Sequence, residues 1–375
     1  MLLALLFACD PPTPNYVDRQ MIEEAYRRGD NYVICAGLRM EDDSTRGIAA
    51  ETLATLTVPE PCLCAGLLRE GAWDMPVVRG LQKGTDDAHV GCAAALLDDP
   101  KLAERTELVN LLAKIKVPAV ESRLMAAAKS DVDPAVRGAA MAVVRPARNP
   151  EALKLVTAAL TDPEASVRSG AARALVGVDA AAPQLQLAAA DPDPSVRAAV
   201  LLALRGMPGV PFADYACPAL RTDPDPGVRA VAAGVMKSAK DEALMACLRA
   251  HMLEREDDAL VRTSMLATLR GTAGTASAGI LCDAIPFWVH TYIGVDHPTR
   301  EGPADIIFAQ NDRDFNNSYD CVQKALRAGG YKTCEQKFYV NDWFHELGGK
   351  NAKPRPCNAP AASGGGGGAS NEIEF

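Results

Sequence analysis

Five times between residues 131 and 262 the chain repeats one short pattern: an acid, a second acid two residues later, then a Val-Arg pair and a run of small apolar residues. The stretch DPDPSVRAAVLLAL, Asp191–Leu204, is a clear copy. The arginines are Arg137, Arg168, Arg197, Arg229 and Arg262, at intervals of 31, 29, 32 and 33 residues, and the residue before each is valine. A period of this size is one supersecondary unit per copy. A unit that small cannot bury its own apolar face, so the copies must stack. The chain is therefore expected to be an all-α solenoid, a superhelix of helix pairs.

Each residue type in the pattern has a physical task. The acids six before the arginines are Asp131, Asp162, Asp191, Asp223 and Glu256, and those four before are Asp133, Glu164, Asp193, Asp225 and Asp258. Asp accepts backbone N–H bonds at a helix N-cap, and Pro suits the first turn, where its missing N–H is not needed. The negative charge also lies at the positive end of the helix dipole. Val196, Val200, Ala203 and Leu204 then follow at helical spacing, and Ala171, Ala199 and Ala232 let neighbouring helices approach. A second, less regular helix completes each unit, as in EALKLVTAAL, PFADYACPAL and DEALMACLRA. Loops with Gly and Pro, such as GMPGVP, separate the units.

The D-P-x-x-x-V-R turn followed by an Ala/Leu helix resembles the HEAT repeat family, especially the short bacterial form named from phycobilisome lyases. The resemblance covers residues 130–285. It implies a ladder in which turn acids and arginines bond between neighbouring units, so that Arg197, and likewise Arg168 and Arg229, reaches a turn acid of its own or an adjacent unit. Five exposed arginines at helix starts are the alternative. Upstream the pattern fades: Asp42, Arg46, Ala49 and Leu53 keep the frame, Gly91 stands where Arg belongs, and Arg105 follows Glu104 instead of Val. Residues 20–129 read as degenerate helical repeats that also cap the array, since a terminal unit turns one face to water.

Residues 1–19 open with MLLALLFAC and continue into a Pro-rich stretch. LFAC resembles a bacterial lipobox, the cleavage site before the lipid-modified cysteine. Leu6, Ala8 and Cys9 fit, and Phe7 departs from the pattern. The resemblance implies a signal peptide, lipidation of Cys9 and a place in the cell envelope, facing the periplasm or exterior; several acyl chains anchor stably where one binds reversibly. No basic residues precede the apolar run, and a start upstream that supplies Lys or Arg would complete the signal peptide. The alternative is a buried apolar N-terminus on a cytoplasmic protein. The chain has 11 cysteines, so ten remain after Cys9, an even number that suits disulfides in an exported chain. In a reducing compartment the same residues would be small core thiols. Cys35, Cys62, Cys64 and Cys92 can pair among themselves. Cys217, Cys247 and Cys282 fall 20, 18 and 20 residues after their arginines, which places two of them in contact across stacked neighbours or leaves them as buried thiols.

The composition changes near residue 286. Eleven of the 19 aromatics lie in residues 286–345, whereas residues 74–285 hold only Phe212 and Tyr215. Residues 286–358 are read as a small aromatic-rich, Cys-containing C-terminal cap with its own core, or else a binding surface. Gly329 and Gly330 end a helix there, and Cys321 and Cys334 are positioned to bridge across that turn. Residues 359–375 are a Gly-rich, low-complexity tail.

No reaction motif stands out. The sequence has neither H-E-x-x-H, G-x-S-x-G, nor a phosphate-binding glycine loop before a helix. Cys62 and Cys64 form C-x-C with no second zinc-like pair. His290, Asp296 and His297 form a weak metal candidate, against solvated or core histidines. No catalytic residue, resident metal or cofactor is assigned. The formal net charge of −9 argues against a nucleic-acid partner. The expected function is non-enzymatic binding or scaffolding of an unknown protein partner, with membrane contact only through the lipid anchor. The alternatives are an enzyme related to bilin lyases or of unknown reaction, and a structural envelope protein without a dedicated ligand.

Overall fold

A computed structural model describes residues 14–56, 61–69, 72–81, 91, 94, 96–98, 105–115, 117–236, 241–270 and 275–291. The described residues are predominantly helical, with one two-residue hairpin, β1 (Leu68–Arg69) against β2 (Ala72–Trp73). The chain divides into two compact units at Gln184 and Leu185.

The first unit begins with α1 (Arg19–Arg28), α2 (Asn31–Gly37), α3 (Asp43–Ala54), α4 (Pro61–Ala65) and α5 (Met75–Leu81). Asp18 and Asp42 start α1 and α3 by accepting backbone N–H bonds from Met21 and Thr45. Gly29, at φ 71°, ends α1 in the left-handed conformation that glycine enters without a Cβ penalty. Helices α3 and α5 pack closely. A Cβ on Gly80 would come within 2.4 Å of the Ala50 Cβ, so this crossing depends on glycine.

The regular part of this unit comprises α6 (Arg105–Leu112), α7 (Pro118–Ser130), α8 (Pro134–Val143), α9 (Pro150–Ala159) and α10 (Ala165–Ala174). The Val-Arg helices α8 and α10 pack side by side, while α7 pairs with α8 and α9 with α10. The α8–α10 contact is close because both helices present glycine. A Cβ on Gly170 would lie 2.1 Å from the Gly138 carbonyl oxygen, and one on Gly138 would lie 2.5 Å from that of Ser166.

The second unit repeats the arrangement. It contains most of α11 (Ala182–Ala188), then α12 (Pro194–Leu204), α13 (Ala213–Thr222), α14 (Pro226–Val235), α15 (Glu242–Met252), α16 (Ala259–Arg270) and α17 (Thr275–Thr291). The Val-Arg helices α12, α14 and α16 pack in series as one layer, and α13, α15 and α17 as the other. Val196, Val200, Ala203 and Leu204 are all buried, as the helical spacing predicts. The core runs on between the layers through Leu220, Met236, Leu248, Val261, Met265 and Leu281. This is the expected all-α solenoid of stacked helix pairs.

Helix α17 passes through residue 286, where the composition changes, and Trp288 is buried in the repeat core with its indole N–H donating to the Met252 carbonyl at 2.8 Å. The rest of the expected aromatic cap, the Cys321–Cys334 pair, Cys9 and the Gly-rich tail lie outside the described residues, as do Asp296 and His297 and the side chain of His290.

Cysteines join neighbouring helices in both units. Cys35 is bonded to Cys62, with Cα atoms 5.7 Å apart. Cys217 of α13 is bonded to Cys247 of α15, with Cα atoms 5.8 Å apart. Cys64 and Cys282 are also disulfide-bonded.

Candidate functional site: the turn ladder and an apolar groove

The repeated acids and arginines are the most conspicuous polar groups in the sequence, and the structure gives each a place. The acid four before the arginine is the N-cap. Asp133 accepts from the Ala135 N–H, Asp193 from Ser195, Asp225 from Val228, and Asp258 from Leu260 and Val261. Glu164 occupies the same position without a side-chain cap bond, its carboxylate carried one methylene further out. The acid six before the arginine folds the turn. Asp131, Asp162, Asp191, Asp223 and Glu256 each accept the N–H of the residue two positions on, at 2.9 Å in every case.

The arginines close the turns from the other side. Arg137, Arg168, Arg197, Arg229 and Arg262 each donate through Nη1 to the carbonyl six residues back, at 2.8–2.9 Å. Within its own unit of the repeat, then, each arginine holds the turn through a backbone carbonyl. The carboxylate bond runs to the following turn. Arg197 grips Asp223 in a two-pronged bond, both N–O distances 2.7 Å, and Arg229 grips Glu256 with both at 2.9 Å. In the first unit Arg105 makes the same link to Asp131, at 2.6 and 2.8 Å. Arg137 differs: among the described residues its guanidinium bonds only its own turn.

Electrostatics follow the geometry. Burial works against charge at Asp223, but the Arg197 guanidinium and the Asp225 N–H outweigh it and hold the carboxyl below its ordinary range. Glu256 is likewise penalised by burial and held down by Arg229 and the Asp258 N–H. Hydrogen bonds to these carboxylates raise Arg197 and Arg229 in return. The planar guanidinium fork suits a carboxylate and two carbonyls at once, which lysine cannot match. A group so fully engaged acts as a brace between units.

Two polar clusters lie outside the sequence expectation. Arg46 is buried and pairs with buried Asp74 at 2.7 Å while donating to the Met40 and Glu41 carbonyls. Arg46 holds the repeat register, but Asp74 sits in no repeat frame and only the folded chain brings it there. In the second unit buried His251 lies 3.2 Å from Glu254 and 3.5 Å from Glu256. The Arg221 guanidinium bonds Glu254 and keeps that carboxyl below its ordinary range. No cluster of three or more metal-ligating side chains occurs among the described residues. No helix among them is long and apolar enough to cross a membrane.

Among the described residues, each unit carries a hollow that the sequence did not indicate. In the first unit there is a groove of about 900 Å³. Its floor is Ile115, Leu124, Val144 and Val178, and its rim carries Glu121, Arg145 and Arg173. In the second unit a shallower hollow of about 520 Å³ lies over the Arg197–Asp223 bond, beside Tyr215 and Asp214. Leu187 and Leu202, in α11 and α12, are exposed apolar side chains of the kind that partner surfaces use.

Two overlapping stretches, residues 90–176 and 123–205, match the family model of HEAT repeats. No curated protein matches the chain.

Proposed function

We propose that the chain, whose residues 90–205 match the family model of HEAT repeats, is a non-enzymatic binding or scaffolding protein of the bacterial cell envelope, anchored through lipid on Cys9. HEAT repeats generally serve protein–protein contact. The observation that carries the reading is the use of the repeated charges: Arg105, Arg197 and Arg229 brace one turn to the next through Asp131, Asp223 and Glu256, and the other repeat arginines close their own turns, while side chains such as Leu187 and Leu202 face outward. A stack built this way offers a continuous surface to which each unit adds a few side chains. The exported location is supported by the Cys35–Cys62 and Cys217–Cys247 bonds, since disulfides persist in oxidising compartments.

The test is affinity capture from detergent-solubilised envelope membranes with three chains: wild type, Cys9→Ser, and Leu187→Asp with Leu202→Asp. The wild type is expected to fractionate with membranes and bring down a stoichiometric partner. Cys9→Ser should become soluble, and the double variant should lose the partner while keeping its helical circular dichroism. Unchanged fractionation of Cys9→Ser rules out the anchor, and the absence of any stoichiometric partner rules out scaffolding.

A further inference from the structure

We propose that the groove in the first unit binds a single-chain anionic amphiphile, a long-chain carboxylate of the fatty-acid type. Its lining runs from Ala113 to Val178, wholly within that unit. The floor of Ile115, Leu124, Val144 and Val178 belongs to the buried core, Met125 forms a half-buried wall, and Val176, 55 % exposed, stands at the edge. Water in such a hollow meets mostly hydrocarbon, so an apolar occupant gains by displacing it. The volume of about 900 Å³ is that of a small-molecule site, for which about 300–1,000 Å³ is usual.

The rim selects the head group. Arg145 donates to the Ala113 carbonyl at 3.2 Å and stands 3.8 Å from Glu121. Arg173, in the last turn of α10, is exposed and makes no ion pair among the described residues. Two guanidiniums against one carboxylate leave one positive charge in excess, on a chain of formal net charge −9. A monoanionic head answers that excess, and a guanidinium fork holds both oxygens of a carboxylate. A peptide fits less well, because each of its residues brings a backbone N–H and C=O that need partners. The one uncharged polar side chain of the lining, Asn149, is already engaged: its oxygen accepts the Glu151 and Ala152 N–H groups, and its nitrogen donates to the Met125 sulfur at 3.8 Å. An alkyl chain asks for no such partners. The site involves neither Leu187 nor Leu202 and needs no lipid on Cys9, so this proposal and the scaffolding reading can each fail without the other.

The test titrates the full chain carrying Cys9→Ser, which keeps covalent lipid out of the measurement, with dodecanoate below its micelle concentration in a calorimeter. One saturating site is expected. Decanoate should bind about tenfold more weakly, as the loss of two buried methylenes implies, and dodecylammonium, with the same tail and the opposite head, should also bind more weakly. Arg173→Glu, at an exposed position, should leave the melting temperature unchanged, weaken dodecanoate about fivefold, as loss and reversal of an exposed ion pair imply, and strengthen dodecylammonium. Val176→Asp, also exposed, should weaken dodecanoate and decanoate alike. Dodecanoate with a terminal diazirine should cross-link on photolysis to groove residues, foremost Met125. Absence of saturable binding, cross-links confined to other surfaces, or an affinity indifferent to head charge and to Arg173→Glu overturns the proposal. So does a stoichiometric acidic protein that Arg173→Glu releases and dodecanoate does not displace, which would assign the groove to a protein partner.

Discussion

Arg137 and Arg197 occupy the same position of the same motif, yet their surroundings predict different costs of removal. Arg197 holds its own turn through the Asp191 carbonyl and the next through both oxygens of Asp223. Both side chains of that pair are largely shielded, at 15 % and 9 % exposure. Arg197→Ala strands a shielded carboxylate and should cost about 2–4 kcal/mol in urea denaturation. Arg137→Ala loses a carbonyl bond to its own turn and should cost about 1 kcal/mol. The same pair sets a pH dependence. The folded-state values of Asp223 and Glu256 lie below the ordinary carboxylate range. Their contribution is therefore fully present above that range, near pH 4 to 4.5, and is lost as pH falls through the depressed folded values. Melting temperatures measured from pH 7 to pH 3 should fall more gently for Asp223→Asn than for the wild type. The acid–arginine register was visible in the residues, but which arginine completes a link was not, because the link depends on where the next turn stands.

At the scale of helices, close approach decides what a substitution does. Gly170→Ala adds helix propensity of about 1 kcal/mol, yet its Cβ would meet the Gly138 carbonyl oxygen at 2.1 Å. The backbone cannot yield as a side chain does, so α8 and α10 must separate, and a net loss of about 1–3 kcal/mol is expected in thermal or urea melts. Gly234→Ala in α14 meets nothing within 4 Å and should be neutral or stabilising in the same assay. The bond between Cys217 and Cys247 closes a loop with a sequence separation of 30 and links α13 to α15. Cys217→Ala with Cys247→Ala should lower stability by about 2–4 kcal/mol. Dithiothreitol should destabilise the wild type and, through Cys35–Cys62, still affect the double variant to a smaller degree. The recurrence of cysteine 18 and 20 residues after successive arginines made this pair legible as one option among several. Cys35 and Cys62 carry no repeat register, and their pairing follows only from how α2 and α4 meet.

Across the whole molecule a stack of repeats couples each unit mainly to its neighbours, so damage should stay local. Trp288 closes the core of α15, α16 and α17 and bonds the Met252 carbonyl. Trp288→Ala is expected to raise amide hydrogen exchange in those three helices, while α8 and α10 keep their protection. Uniform loss of protection along the chain would mean that the two compact units unfold as one. The sequence by itself determined the architecture: the Asp-Pro turns cap helices through neighbouring atoms, and the period near thirty residues requires stacking, both of which are local facts. The tertiary structure alone decided the Arg46–Asp74 pair, the His251 cluster and the groove with its basic rim. These features are made by side chains that share no register, brought together only when separate helices pack. A repeat specifies its own frame through contacts a few residues apart, and leaves the surface it presents to be set by whichever residues the frame happens to bring side by side.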